Sequence, residues 1–277
     1  MEKTFAVIGG DRRQPYLADL LTEEGWQVAL WGVPGRADTK DLERVLDADY
    51  ILLPLPLSRD GVTVTGTALP LEQLWRFLRP EQLILAGQLP PEQAAAAAGL
   101  RVVDYFAREE LTVANAVITA EGALQLAMEE LDVTLWGLPC LILGHGRIGR
   151  LLTQRLTALG AEVTAMARKP AERVWIRAEG ARAVSPEQLS EVLGGARLIL
   201  NTIPSCILDD GLVGRLDSRC LVIDLASRPG ADTAALKARD IRQIWARGLP
   251  AKAAPATAAA AVRDAVIHIL QERGEIV

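Results

Sequence analysis

Cys140-Leu141-Ile142-Leu143-Gly144-His145-Gly146-Arg147-Ile148-Gly149-Arg150-Leu151-Leu152 is the stretch that decides the fold. Cys140–Leu143 reads as a buried strand, G-x-G-x-x-G follows at once, and the amphipathic run Arg147–Leu159 reads as a helix. In that setting each glycine has a physical task. Gly144 permits the tight turn, Gly146 lets a pyrophosphate approach bare backbone, and Gly149 lets the helix pack on the strand. The helix amino terminus, at Arg147 and Ile148, offers unpaired N–H groups and a positive dipole end to phosphate. The motif alone is weak; strand before and helix after make it a dinucleotide site.

Working outward, the next strand, Glu162–Ala167, runs into Arg168-Lys169. A carboxylate near this point would bind the ribose 2′-hydroxyl of NAD. Arg168 instead supplies a planar fork suited to a 2′-phosphate, and Lys169 adds a second positive charge, so NADP is the expected cofactor. Further strands fall at Arg197–Asn201, Cys220–Leu225 and Arg242–Trp245. Asn201-Thr202-Ile203-Pro204 and Asp224-Leu225-Ala226-Ser227-Arg228 follow strand ends and read as walls of the cofactor groove rather than catalysts. Ser185-Pro186-Glu187-Gln188 starts a helix by three rules: hydroxyl N-cap, proline in the first turn, Gln at the capping-box position.

The first half repeats the alternation, with strands at Thr4–Gly9, Gln27–Trp31, Tyr50–Leu55, Gln82–Ala86 and Arg101–Tyr105. Helical patterns lie between them at Gln14–Glu24, Asp41–Asp47, Leu71–Leu78 and Glu92–Ala98, punctuated by breakers such as Gly25 and Gly99. Strands apolar on nearly every position suit a parallel sheet covered on both faces. The fold class is α/β: two doubly wound parallel-sheet domains, the second a Rossmann dinucleotide-binding domain. A central helix, Thr119–Leu131, and a C-terminal helix, Thr257–Arg273, link them. The expected division is a flavodoxin-like substrate domain over 1–118 plus 257–277 and an NADP-binding domain over 119–256. Ligands of such folds bind outside the carboxyl ends of strands, here in a cleft between two sheets.

Composition narrows the function. The 277 residues carry 35 acidic and 30 basic side chains, a net charge of −5, which gives no cationic field for nucleic acid. No uninterrupted apolar run approaches a bilayer span, so no membrane is expected. Residues 1–7 enter a strand pattern without a signal peptide's apolar core. Cys140, Cys206 and Cys220 are odd in number and unpatterned, which points to a reducing cytoplasm. With only His145 and His268, neither a His-rich metal site nor a Ser-His-Asp triad is expected.

In the first domain, Gly9-Gly10-Asp11-Arg12-Arg13-Gln14 again joins strand to helix, presenting backbone N–H groups at Gly10 and Asp11 beside guanidiniums. That combination suits a carboxylate ligand, with Arg12 the expected partner. Pro54–Asp60 forms a rigid loop at the same edge and brings Ser58 forward. Thr119-Ala120-Glu121-Gly122 opens the central helix, with Asn115 just before it. Thr119 reads either as substrate contact or as N-cap, and Glu121 as a carboxylate complementing the dipole.

These segments resemble the A subunit family of dipicolinate synthase from spore-forming bacteria. The resemblance rests on Ile8–Gln14, Asn115–Ala123, Gly144–Gly149, Asn201–Pro204, Ile223–Gly230 and Gly248-Leu249-Pro250-Ala251-Lys252-Ala253-Ala254-Pro255, in order along nearly the whole chain. Alanine dehydrogenase, adenosylhomocysteinase and 2-hydroxyacid dehydrogenases share the Thr-Ala-Glu-Gly and two-domain arrangement. Two residues depart from the pattern: Lys169 stands where a small hydroxyl residue is expected, and Ala251 where glycine precedes the lysine. The resemblance implies NADP-linked aromatization of a dihydrodipicolinate-type ring dicarboxylate to dipicolinate during sporulation. It also implies a flavoprotein-like partner, the B subunit, with the mother-cell cytoplasm as location; a homo-oligomer is compatible with this build.

Two substrate carboxylates call for cations or helix amino termini, and Arg12 and Lys252 are the expected partners, Lys252 also as a catalytic residue. Asp11 and Glu121 are the candidate proton acceptors, since a partly desolvated carboxylate has a raised pKa. Two alternatives stand beside this reading. One is another NADP-dependent two-domain dehydrogenase, such as a shikimate or methylene-folate enzyme. Against shikimate, the first domain holds a single lysine between its first strand and the central helix, Lys40, on a polar stretch. The other is a non-catalytic NADP-binding subunit that assembles with or regulates a partner.

Overall fold

A computed structural model describes residues 3–37 and 41–276; Lys40 lies outside them. The chain divides into two units, Met1–Asn115 with Ala254–Val277, and Ala116–Ala253.

In the first unit the chain runs β1 (Thr4–Ile8), α1 (Arg13–Glu23), β2 (Gln27–Trp31), α2 (Leu42–Val45), β3 (Tyr50–Leu52), α3 (Leu71–Phe77), β4 (Leu83–Ala86), α4 (Pro91–Ala96) and β5 (Arg101–Asp104). All pairings are parallel, in the order β2-β1-β3-β4-β5. Phe5 and Val7 face one side of β1, packing with Leu17, Leu21 and the terminal helix Pro255–Glu272 through Ala259, Val262 and Val266. Ala6 and Ile8 face the other, among Ile51, Leu74, Trp75 and Ile84. Burial on both faces is why these strands read as continuous apolar runs. β3 stops at Leu52, short of the expected Leu55, because Pro54 has no N–H to extend the ladder.

α5 runs Glu109–Glu130 and enters the second unit. It begins ten residues before the expected Thr119, with Glu109 and Glu110 in its first turn, where carboxylates complement the dipole. Thr112 to Ile118 are rich in β-branched residues, a weak helix signal that tertiary burial of Leu111, Ala116 and Ile118 overrides. An 18-residue window of the 22-residue α5 has a mean hydropathy of 1.3, long and apolar enough for a membrane span by composition. Its apolar residues are interrupted by Thr112, Asn115, Thr119, Glu121 and Gln125, in keeping with the absence of an uninterrupted apolar run. Its inward positions Ala120, Ala123 and Ala127 are instead buried in the protein core.

The second unit continues β6 (Pro139–Leu143), α6 (Arg147–Ala158), β7 (Glu162–Met166), α7 (Pro170–Ala178), β8 (Arg182–Val184), α8 (Leu189–Val192), β9 (Leu198–Asn201), α9 (Asp210–Val213), β10 (Leu221–Asp224), α10 (Thr233–Ala238), β11 (Arg242–Trp245) and α11 (Leu249–Ala253). The six parallel strands lie in the order β11-β10-β9-β6-β7-β8. β8 is an edge strand of three residues, too short to show a period in the sequence; Ala165 pairs with its Ala183. At the expected helix start, Gln188 Oε1 accepts from Ser185 N–H at 3.1 Å, and one 3₁₀ turn precedes α8. All three cysteines are free thiols, and burial pushes those of Cys140 and Cys220 up to about 12.

Candidate functional site

β6 and β9 are neighbours at the point where the strand order of the second sheet reverses, the position at which open α/β sheets take ligands. The turn after β6 is built as the motif demands. Gly144 adopts φ +95°, and a Cβ there would meet Thr202 Oγ1 at 2.5 Å and Ile203 Cγ1 at 2.8 Å. A Cβ on Gly149 would overlap the carbonyl of Gly144, so that glycine lets α6 close on the turn. Gly146 is different: it is the N-cap of α6, with extended backbone, and a Cβ would find nothing within 4 Å. Steric crowding explains glycine at 144 and 149 but not at 146. Room above the first N–H groups of α6 is what an approaching phosphate requires, so these residues fit a dinucleotide. Arg147 is exposed at the start of α6 and Ile148 packs against the core.

His145, within this loop, is buried, its Nδ1 3.1 Å from Glu172 Oε2 and its Nε2 3.0 Å from Glu179 Oε2. Arg168 and Lys169 are exposed at the carboxyl end of β7, with Lys169 the N-cap of α7. Sequence reasoning missed a third cation there. Arg173, one turn into α7, donates through Nη1 to the carbonyls of Ala167 (3.0 Å) and Arg168 (2.9 Å), fixing the backbone that presents Arg168.

The loops after β9 and β10 are knitted by a buried carboxylate that the sequence left in the background. Asp224 accepts from Asn201 Nδ2 (3.0 Å), Ala226 N–H (3.1 Å) and Gly230 N–H. Asn201 also donates to Ile203 O at 3.0 Å and accepts from Ile203 N–H at 3.1 Å. Thr202 donates through both N–H and Oγ1 to Leu143 O, each at 2.9 Å. Ala226 is buried, its carbonyl accepting from Trp245 Nε1 at 2.9 Å, while Pro204 and Ser227 are exposed. Asn201, Thr202 and Ala226 therefore shape the loops with their polar groups already engaged.

Thr119 and Glu121 lie in mid-helix, so neither sits at a helix amino terminus, and the N-cap expectation for Thr119 is overturned by the earlier start of α5. The Glu121 carboxylate is exposed and pairs with Arg155 Nη2 at 3.3 Å, rather than being partly desolvated. Lys252 is exposed on α11. Ala251 is buried in that helix without a positive φ, so the replacement of glycine leaves the backbone unstrained.

In the first unit the expected anion cradle is filled from within. Gly10 N–H donates to Thr65 O at 2.6 Å and Asp11 N–H to Gln14 Oε1 at 2.8 Å, which removes both N–H groups from ligand binding. The inward guanidinium is that of Arg13, buried and doubly bonded to Asp11 (Nε and Nη2, each 2.9 Å) and also donating to Leu55 O. Arg12 is exposed at the N-cap of α1. Burial works to raise the Asp11 carboxyl, but hydrogen bonds and charge from Arg13, with Arg59 at 3.5 Å, outweigh it and hold the group below its ordinary value. The raised value expected of a base is thus reversed for Asp11. Ser58 Oγ donates to Asp60 Oδ1 and accepts from Gly61 N–H, each at 2.9 Å, and so serves its own turn.

Two family models match the chain: the N-terminal domain of the dipicolinate synthase A subunit over residues 4–106, and the NAD binding domain of D-isomer specific 2-hydroxyacid dehydrogenases over 105–216. The A subunit of dipicolinate synthase from Bacillus subtilis is 30% identical over 287 aligned residues, which cover 97% of this chain and 96% of that protein. The chain belongs to the dipicolinate synthase A-subunit family. The solved A chain of Bacillus subtilis dipicolinate synthase aligns with a TM-score of 0.86 at 28% identity, covering 100% of this chain and 98% of that one. The corresponding dipicolinate synthase polypeptide from Bacillus halodurans gives 0.87 at 24% identity over 98% of each chain, a likeness of fold. The family's two-part build is thus met here by a dipicolinate synthase-type first unit and a dehydrogenase-type dinucleotide-binding second unit.

Proposed function

We propose that this family member is an NADP-linked oxidoreductase that aromatizes a dihydrodipicolinate-type ring dicarboxylate to dipicolinate. The supporting observation is Gly146: a glycine with open space over it, between two glycines that crowding does explain, beside Arg168 and Lys169 in place of an acid. The chemistry supplied by a bound nicotinamide is acceptance of a hydride. Overall the ring loses that hydride, carrying two electrons, and one proton; a hydroxylated tetrahydro precursor would lose water as well.

The chain's own residues bind, orient and manage charge. Gly146 and the first N–H groups of α6 take the pyrophosphate, and Arg168, with Lys169 beside it, takes the 2′-phosphate. Thr202 and Ile203 wall the loop against Gly144, with Asn201 fixing Ile203, while Pro204 and Ser227 are offered at the exposed loop tips. Arg12 and Lys252 are the proposed carboxylate partners, since both are exposed cations. Asp11, held ionised by Arg13, keeps that guanidinium in place and is a poor base. Formation of a pyridine drives proton loss, so the exposed carboxylate of Glu121 suffices as acceptor.

We further propose that the enzyme works in the mother-cell cytoplasm during sporulation, together with a flavoprotein-like B subunit, a reading that the family membership supports. The purified chain is to be given NADP⁺ and dihydrodipicolinate, with and without that partner, while dipicolinate and NADPH are measured together. Equal formation of both supports the reading. A chain that binds NADP yet forms neither product, even with its partner, is a binding subunit instead, and the enzymatic reading falls.

A further inference from the structure

Trp136 stands in the loop between α5 and β6 and is 78% exposed, more than any other large apolar side chain among the described residues. Met128 near the end of α5, Val133 in the same loop and Leu159 just past α6 are exposed as well. These four of the ten exposed large apolar side chains line one groove of about 560 Å³ in the second unit. The isolated chain gains nothing by leaving them in water, and a contiguous apolar patch marks an interaction site. The indole is also held in place. Gly160 adopts φ +79°, and a Cβ there would meet Trp136 Cδ1 at 2.5 Å, so the ring lies back against that turn. Gly160 O accepts from Gly137 N–H at 2.8 Å, and Leu135 and Leu138, to either side of Trp136, are buried in the core. A ring fixed before contact costs little entropy to engage. The exposed rings of Trp175 and Trp245 differ, each lying under an arginine, Arg150 at 4.9 Å and Arg247 at 4.8 Å.

Position and charge say what fits. Leu159 follows the end of α6 and the loop leads into the start of β6, whereas the glycine loop lies at the opposite end of both elements. The groove is thus at the edge away from the one where such sheets take ligands. Among the described residues the one charged group lining it is the carboxylate of Asp132, which repels both a dinucleotide and a dicarboxylate. The segments that frame it, 125–139 and 156–162, hold Glu129, Glu130, Asp132 and Glu162 and no lysine or arginine. Of the cations on adjoining elements, Arg242 pairs with Glu130 and Arg155 with Glu121, so neither offsets Asp132, Glu129 or Glu162. A second copy of this chain, related by a two-fold axis through the groove, would bring the same carboxylates together. The complement is a different polypeptide, with an apolar anchor flanked by basic residues.

We propose that this groove is the docking site of the B subunit, which inserts an apolar side chain beside Trp136 and sets lysine or arginine against Asp132 and Glu129. The proposal rests on the two-subunit reading above. Docking there leaves the carboxyl-end edge of the sheet, with its glycine loop, uncovered. Trp136 is the buried anchor of the interface, and the carboxylates of its rim guide encounter.

The test titrates the purified B subunit into the whole chain by calorimetry, with a thermal melt of every variant. Trp136→Ala should weaken binding on the order of thirtyfold, the scale of an interface hot spot, and melt as the parent does. Asp132→Lys keeps the indole and should weaken binding roughly tenfold, with less of the parent's loss of affinity between about 50 and 200 mM salt. Val113→Ala, an exposed apolar site on α5 outside the groove, should bind as the parent does. If Trp136→Ala and Asp132→Lys both bind the B subunit as tightly as the parent, the docking site lies elsewhere and only the two-subunit reading survives. A parent chain that binds no B subunit removes that reading and the docking site together. Sedimentation of the chain alone should show no association through this face; a dimer that Trp136→Ala dissociates makes the occupant a second copy and overturns the proposal.

Discussion

Replacing Gly146 by alanine separates ligand approach from fold maintenance. The residue has φ −82° and ψ −160°, which alanine adopts freely, and its Cβ would find nothing within 4 Å. Two small terms then oppose each other. Alanine is a poorer N-cap than glycine by about 0.5–1 kcal/mol, while removing glycine's freedom from the unfolded chain stabilises by about 0.4–1 kcal/mol. Net stability should stay within about 0.5 kcal/mol, a melting shift of roughly 2 °C or less for a chain of this size. A methyl group over the first N–H groups of α6 should hold a phosphate away from at least one of them. Losing one charge-assisted hydrogen bond is worth about 1.5–3 kcal/mol, roughly a 10- to 150-fold loss of affinity. Calorimetry with NADP⁺ and NAD⁺ beside a thermal melt reads both quantities. Gly149→Ala is the control: its Cβ overlaps the Gly144 carbonyl, so overpacking of about 1–3 kcal/mol should lower the melting temperature. If Gly146→Ala melts as the parent does and binds both nucleotides equally well, no phosphate passes over that residue.

Arg168→Ala should weaken NADP by about 1.5–3 kcal/mol and leave NAD nearly untouched; equal losses for both nucleotides, measured by calorimetry, would make Arg168 structural. Asp11→Asn strips a buried guanidinium of its charged partner and should cost about 3 kcal/mol at neutral pH. Because the folded-state value of Asp11 is lowered, that contribution is complete above its ordinary value of 3.8 and is lost as pH falls through the folded value. Denaturant melts of parent and variant should therefore converge as pH is taken well below 3.8, and a difference that persists once Asp11 is protonated in the folded chain contradicts the ion-pair account. Lys252→Ala should raise the KM for the dicarboxylate without changing NADP⁺ affinity, and a change in affinity alone would move Lys252 to the cofactor.

Most of the architecture was written in local pattern. β2 and β11 fall on the residues that alternation and length mark out, because both are bounded by turn residues or charges. The roles of Gly144 and Gly149 follow from their spacing alone, since strand, turn and helix are contiguous in sequence. What escaped depends on partners far along the chain. α5 starts at Glu109 because burial of Leu111 and Ala116 rescues a β-branched run, and no window of sequence contains the residues that bury them. Asp224 reads as one more polar residue at a strand end until Asn201 and Gly230 arrive to donate to it. Arg12 and Arg13 are indistinguishable as neighbours; the first turn of α1 sends one to the surface and the other under Leu55 O.

The two glycine turns show why a site cannot be read from its own residues. After β1 and after β6, the chain offers the same apparatus of strand, glycines and helix start. At Gly10 and Asp11 the N–H groups are consumed by Thr65 O and by Gln14, so that turn is closed by a loop more than fifty residues downstream. At Gly146 a Cβ would find nothing within 4 Å, and the neighbouring His145 side chain is drawn sideways to α7 instead of over the helix start. An N–H group is available to a ligand only if the rest of the chain has not already claimed it. By that criterion the first turn is a structural joint, while the second keeps the open space that the proposed phosphate site needs, although sequence alone ranks both as anion cradles. Exchanging Gln14 for alanine tests the same logic from the other side. It removes the acceptor of Asp11 N–H, and should lower stability by about 1–3 kcal/mol through a stranded donor, with no gain in binding of a ring dicarboxylate. A gain would mean that the first turn is a cradle held shut rather than a joint.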